Sequence, residues 1–238
     1  MKTIKTLFCF FITLVSSGSN AADLLVLLNE KKQNSESAAS EQSFQIDLGE
    51  LLAERTHREA VFVTRPRKRL ANALEMNEAD ILCGYLPEWL PGNFDWSIGF
   101  VDISDVLVTT LRVPAPSTLE DIAGLPVGTT MGFTYPEIEK ILGNRFVRDD
   151  GPGAEANLRK LAAGRFNYAI VSMATLNYHR RINDLHLIIH PPLTVSKFKS
   201  QCALSKTGNV KLSDINKVIL DIQRDGSLEK LLKKYNYH

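Results

Sequence analysis

Leu125-Pro126-Val127-Gly128-Thr129-Thr130-Met131-Gly132-Phe133-Thr134-Tyr135-Pro136-Glu137 reads as a short buried strand, a tight turn and the start of a helix. Thr134 and Glu137 have the spacing of a capping box, and Pro136 stands where a missing N–H costs nothing. A helix is therefore expected from Tyr135 or Pro136. Its first N–H groups would point beyond the carboxyl end of the strand. In an open α/β sheet that space is where ligands bind, and the helix dipole favours an anionic or carbonyl group there. An ordinary strand-to-helix turn with no ligand fits the same residues, so the flanking chain has to decide.

Outward from this stretch, strand and helix patterns alternate. Towards the N-terminus, Asp23-Leu24-Leu25-Val26-Leu27-Leu28 is a continuous apolar run suited to a central strand. Residues 29–42 are polar and read as an exposed loop, after which Ile46, Leu48, Leu51 and Leu52 mark one face of a helix ending near His57. Ala60–Thr64 is a second strand. Pro66 opens a helix with Leu70, Ala73 and Leu74 inward and Arg67, Lys68 and Arg69 in its first turns. Cations there oppose the helix dipole, so one of the three has a use or the face is simply solvated. Ala79–Gly84 is a third strand. Tyr85, Trp89, Phe94 and Trp96 follow in a Pro-rich loop whose rings either wall a pocket or fold back on their own lobe. Asp105–Leu111 is extended, and Ser117 starts a short helix through Ala123.

Towards the C-terminus, Phe146–Arg148 is a strand and Leu158, Leu161 and Ala162 give a helical stripe ended by Gly164. Phe166–Ser172 is a strand with Ser172 at its end, Met173–Arg181 a helix and Leu185–Ile189 a further strand. Gln201–Leu204 is strand again, and Leu212, Ile215, Val218, Ile219 and Ile222 form an amphipathic helix. Asp225-Gly226 breaks it before a closing helix through Leu228, Leu231, Leu232 and Tyr235. Extended connections near 107–113 and 190–200 split the alternation into two α/β lobes.

Met1–Ala21 has the basic start, apolar core and small-residue end of a secretory signal peptide, and no later run is long enough to span a bilayer. Removing 21 of 238 residues leaves 217, and the loss of Lys2 and Lys5 takes 28 Lys+Arg to 26 against 27 Asp+Glu, a formal charge of −1. That balance argues against nucleic acid or anionic lipid as the partner. Cys9 leaves with the signal, and Cys83 and Cys202 remain as a candidate disulfide or as two separately buried thiols.

In order and spacing, several pieces of the chain resemble the periplasmic solute-binding proteins of ABC importers, in the polar amino-acid-binding branch. They are Phe44–Leu48, Ala79–Leu82, Leu119–Gly128, Gly132-Phe133-Thr134, Gly164–Val171 and Asp225–Tyr235. The resemblance implies a two-lobe fold with residues 22–109 and 196–238 in one lobe and 110–195 in the other, closing on a ligand. It places Cys83 and Cys202 in strands of one lobe. The family's carboxylate-binding arginine falls on Asp105 or Val106, and its ammonium-binding aspartate on Ser172, so both amino-acid anchors are replaced. A ligand-facing position at the start of the second helix falls on Arg67 or Arg69.

The expected function is an exported, monomeric, cofactor-free module that captures a small polar solute for an inner-membrane permease or a sensor. Tyr85 and Trp89 would be its wall, Arg67 an anion grip, Asp105 a cation or hydroxyl partner, and Phe133, Thr134, Tyr135 and Ser172 the contribution of the second lobe. A relative with no small ligand, working through protein interaction or signalling, is the alternative. An exported enzyme is less well supported: Gly-x-Ser-x-Gly, His-Glu-x-x-His and paired-Cys zinc spacings are missing, and His57, His179, His186 and His190 are scattered. His186 and His190 are expected to flank a strand.

Overall fold

The computed structural model describes residues 22–30, 36–235 and 237. The signal-peptide reading of Met1–Ala21, with Cys9, lies outside the described residues.

Three parallel strands open the chain: β1 (Leu24–Asn29), β2 (Ala60–Arg65) and β3 (Ile81–Tyr85), with β1 between the other two. The apolar run of β1 is covered on both faces. Leu24, Val26 and Leu28 pack towards α1 (Glu36–Arg55), α6 (Leu212–Arg224) and α7 (Ser227–Tyr235), and Leu27 packs with Leu70, Ala73 and Leu74 of α2 (Leu70–Glu75). A fully buried carboxylate ties this lobe together. Asp80 accepts backbone N–H groups from Leu25 (2.9 Å) and Asn209 (2.8 Å), which satisfy a carboxylate that burial would otherwise leave without donors.

The second lobe repeats the scheme with β6 (Pro126–Thr130), β7 (Val147–Gly151) and β8 (Tyr168–Ser172), parallel to one another and ordered β8-β6-β7. Leu158 and Leu161 of α4 (Ala154–Ala162) and Leu176 of α5 (Met173–Ile182) cover one face of its sheet. Ile138 and Leu142 of α3 (Pro136–Leu142) cover the other.

Two long antiparallel strands join the halves. In β9 (Leu193–Leu204) the last four residues pair with β3, with the two-residue strand β4 (Asp95–Trp96) also beside it, and the earlier residues pair with β5 (Val101–Thr109). β5 in turn pairs with β8 through Asp105–Thr109. The result is a two-lobe mixed α/β architecture with two crossovers. Cys83 and Cys202 are Cα partners in the β3–β9 register and are bonded.

Three local expectations fail. α1 is already helical at Glu36, within the stretch read as a loop, because Ala, Glu and Gln sustain a helix without an apolar stripe. Residues 185–189 do not form a strand. Asn183 (φ 51°) and His186 (φ 45°) take left-handed backbone, and only the isolated bridge between Thr110 and Ile189 forms. His186 and His190 therefore flank no strand. The helix read from Ser117 is a single 3-10 turn, Leu119–Ile122, capped reciprocally by Thr118 and Asp121.

The disulfide closes a separation of 119 residues, for which chain entropy sets a stabilisation of about 4–5 kcal/mol. Replacing Cys83 and Cys202 together by alanine is expected to lower the urea midpoint correspondingly. An unchanged midpoint, with and without dithiothreitol, would show that the bridge adds nothing to the β3–β9 register.

Candidate functional site

Parallel strands deliver their carboxyl ends to one side of a sheet, and here two such sides meet. The chain leaving β2 carries Arg67, β3 ends on Tyr85, and the chain leaving β6 carries Phe133. The Arg67 guanidinium carbon lies 5.2 Å from the centre of the Phe133 ring and 5.9 Å from that of Tyr85. A cation from the first lobe is thus held between a ring of its own lobe and a ring of the other. Among the described residues the Arg67 side chain makes no hydrogen bond or ion pair, so its N–H edge is unclaimed.

Tyr85 reaches this position through one irregularity. Alternation would put it on the Cys83 face of the sheet, but Gly84 is an extra residue at φ +81°, and the register shifts between Cys83 and Tyr85. Tyr85 consequently packs on the Leu82 side, towards Arg67. Burial pushes its phenol up to about 12, with the Arg67 charge opposing the rise.

Asp105 lies in a row across three strands, with Ser172 of β8 on one side and Ser196 of β9 on the other as Cα partners. Its carboxylate is half-buried, accepts a long hydrogen bond from Ser196 Oγ (3.5 Å) and has no ion pair among the described residues. Desolvation raises its pKa, the Ser196 bond only partly offsetting this. Ser196 escapes a sequence reading, since only the β5–β9 register brings it here.

The remaining candidates divide. Phe133 is 47% exposed at the mouth of the gap, beside exposed Thr134, whose side chain has no hydrogen bond among the described residues. Tyr135 instead is 6% exposed in the core of the second lobe. Its hydroxyl accepts the Thr130 N–H (2.8 Å), its ring meets Phe146 edge-on, and burial raises its pKa. The Thr134–Glu137 capping box does not form. Tyr135 is the N-cap of α3, and its N–H donates to Glu139 (3.1 Å), because the glutamate one turn on reaches it better. Ser172 caps α5: its Oγ accepts the Thr175 N–H (3.2 Å) and shares a hydrogen bond with Thr175 Oγ1 (2.8 Å).

In the aromatic loop the rings take both of the courses open to them. Phe94 is buried against Trp96, and Trp89 sets its edge on Phe198 of β9, while Tyr85 turns to the gap. His179 bonds Asp184 (2.9 Å) and His190 bonds the Val113 carbonyl (2.8 Å). Among the described residues no three His, Cys, Asp or Glu side chains are grouped to hold a metal, and no helix is long and apolar enough to cross a membrane.

No protein-family model and no curated protein matches the chain by sequence. Solved structures do match its fold. A binding component of an ABC transporter from Wolinella succinogenes, complexed with lysine, superposes with a TM-score of 0.69 at 14% identity over 90% of this chain and 95% of its own. A histidine kinase sensor domain with similarity to periplasmic binding proteins gives 0.67 at 19% identity, again over 90% and 95%. An ancestral amino acid-binding protein, described as a precursor of cyclohexadienyl dehydratase, gives 0.67 at 16% over the same shares. At these identities the likeness establishes the two-lobe binding-protein fold.

Two variants test the geometry. Gly84→Ala forces a side chain into left-handed backbone and is expected to cost about 1–2 kcal/mol; denaturation at the parent midpoint would refute the bulge. Asp105 has a raised native pKa, so the native state binds its proton more tightly than the unfolded chain, and this stabilisation is lost as pH rises through the native value. Asp105→Asn should therefore melt above the parent at pH 7, with the advantage shrinking as pH falls towards the ordinary aspartate value of 3.8. Melting curves offset equally at both pH values would contradict the desolvated carboxylate.

Proposed function

We propose that this chain is an exported, periplasmic solute-binding protein that takes a small polar ligand between its lobes and hands it to a membrane permease or a sensor. The observation that carries the reading is the meeting of Arg67 and Tyr85 with Phe133 across the gap, on a fold shared with binding components and a sensor domain. Arg67 offers donors and Asp105 an acceptor, a pair of unmatched charges suited to a polar solute. The lobes are 22–109 with 196–238 and 110–195, hinged on the β5–β9 ribbon near its irregularity at Asp105 and Val106. The mature protein works as a monomer, without a cofactor and without catalysis. Cys83 is bonded to Cys202 and so has no free thiol for a nucleophile.

One observation favours a second reading, a module that has given up small ligands for protein interaction. The space between Tyr85 and Phe133 already holds the chain's own cation.

Thermal denaturation of the mature protein against amino acids, organic acids, polyamines and sugars separates the two. A true ligand at 100 times its Kd adds about 2.7 kcal/mol, roughly 5–10 °C for a chain of this size. A panel in which nothing moves the transition would leave the second reading standing.

A further inference from the structure

Resting on the solute-binding reading, we infer that Arg67 is a resident cation in the slot between the lobes, so that the slot refuses cationic side chains and presents a carboxylate site in their place. The guanidinium lies within cation–π range of two rings, from Tyr85 on the first lobe and Phe133 on the second. A solute carrying a guanidinium or ammonium group has to evict this one, leave it beside a like charge and regain only the same ring contacts. Rejection is thus built in by repulsion as well as by lack of space.

The same geometry sets what is accepted. The guanidinium carbon sits over both rings, and contact with the rings leaves the N–H donors without an acceptor of their own. No acceptor among the described residues takes them. A carboxylate can take two in parallel through the planar fork of the guanidinium. Arg67 is therefore the residue that decides ligand charge. The Wolinella succinogenes structure was solved with lysine; this chain is assigned the opposite preference at its aromatic slot.

The test uses mature protein and two probes, methylguanidinium chloride and sodium acetate. Methylguanidinium is expected to bind Arg67→Ala at least tenfold more tightly than it binds the parent by calorimetry, because the vacated slot accepts the missing headgroup. Adding Phe133→Ala in that background should abolish the gain. Phe133 is exposed enough for this change to leave the fold intact, which the far-ultraviolet spectrum checks. Acetate is expected to shift the Arg67 Nε–H resonance of the parent saturably. Equal methylguanidinium binding by parent and variant, or a gain that survives loss of Phe133, would overturn the resident-cation assignment. An unmoved Nε–H resonance would overturn the carboxylate site. If methylguanidinium rescue succeeds while the broad solute panel finds nothing, the slot assignment stands and the solute-capture function fails.

Discussion

The pairing of β5 with β9 is the constraint on which the rest of the molecule depends. Each strand is hydrogen-bonded into both halves: β9 runs from β5 to β3, and β5 runs from β9 to β8. Antiparallel pairing fixes direction as well as position. It brings the first lobe's parallel strands, ending at Asn29, Arg65 and Tyr85, to the same gap as the second lobe's strands, ending at Thr130, Gly151 and Ser172. The Cys83–Cys202 bridge holds the same register at the first-lobe end of β9.

Opposite charges stand at this gap under different conditions. Arg67 comes from a short 3-10 turn, is exposed, and is positioned only by rings. Asp105 is built into a strand at the junction of the lobes, flanked by two serines, and is disfavoured in its charged form by burial. An exposed cation at the rim and a half-buried carboxyl group near the lobe junction provide polarity without neutralising each other. That combination is costly for stability, and a protein retaining it gains chemistry rather than packing.

Much of the architecture was legible from periodicity. The apolar run Leu24–Leu28, the stripe Ile215-Val218-Ile219-Ile222 and the break at Asp225-Gly226 became β1, the buried face of α6 and the turn into α7, because burial selects those patterns directly. Elements without an apolar signature were missed. The start of α1 rests on helix propensity, and residues 185–189 look like a strand, but left-handed backbone at Asn183 before them and at His186 within them breaks it. Capping was half legible: Pro136 marked the start of α3, but the N-cap is Tyr135 rather than Thr134, and its N–H goes to Glu139 rather than Glu137.

The site divides along the same line. Sequence alone determined two α/β lobes and the identities of Arg67, Tyr85 and Phe133 as residues leaving strand ends. Those are properties of order and local pattern, which a linear chain carries. Only the tertiary structure decided that Gly84 turns Tyr85 to the other face, that Tyr135 is withdrawn into the core, and that Ser196 joins Asp105. It alone set Arg67 between two rings from different lobes. The physical reason is register: a one-residue shift in a strand reverses every side chain beyond it, and contacts between distant strands depend on such shifts rather than on composition.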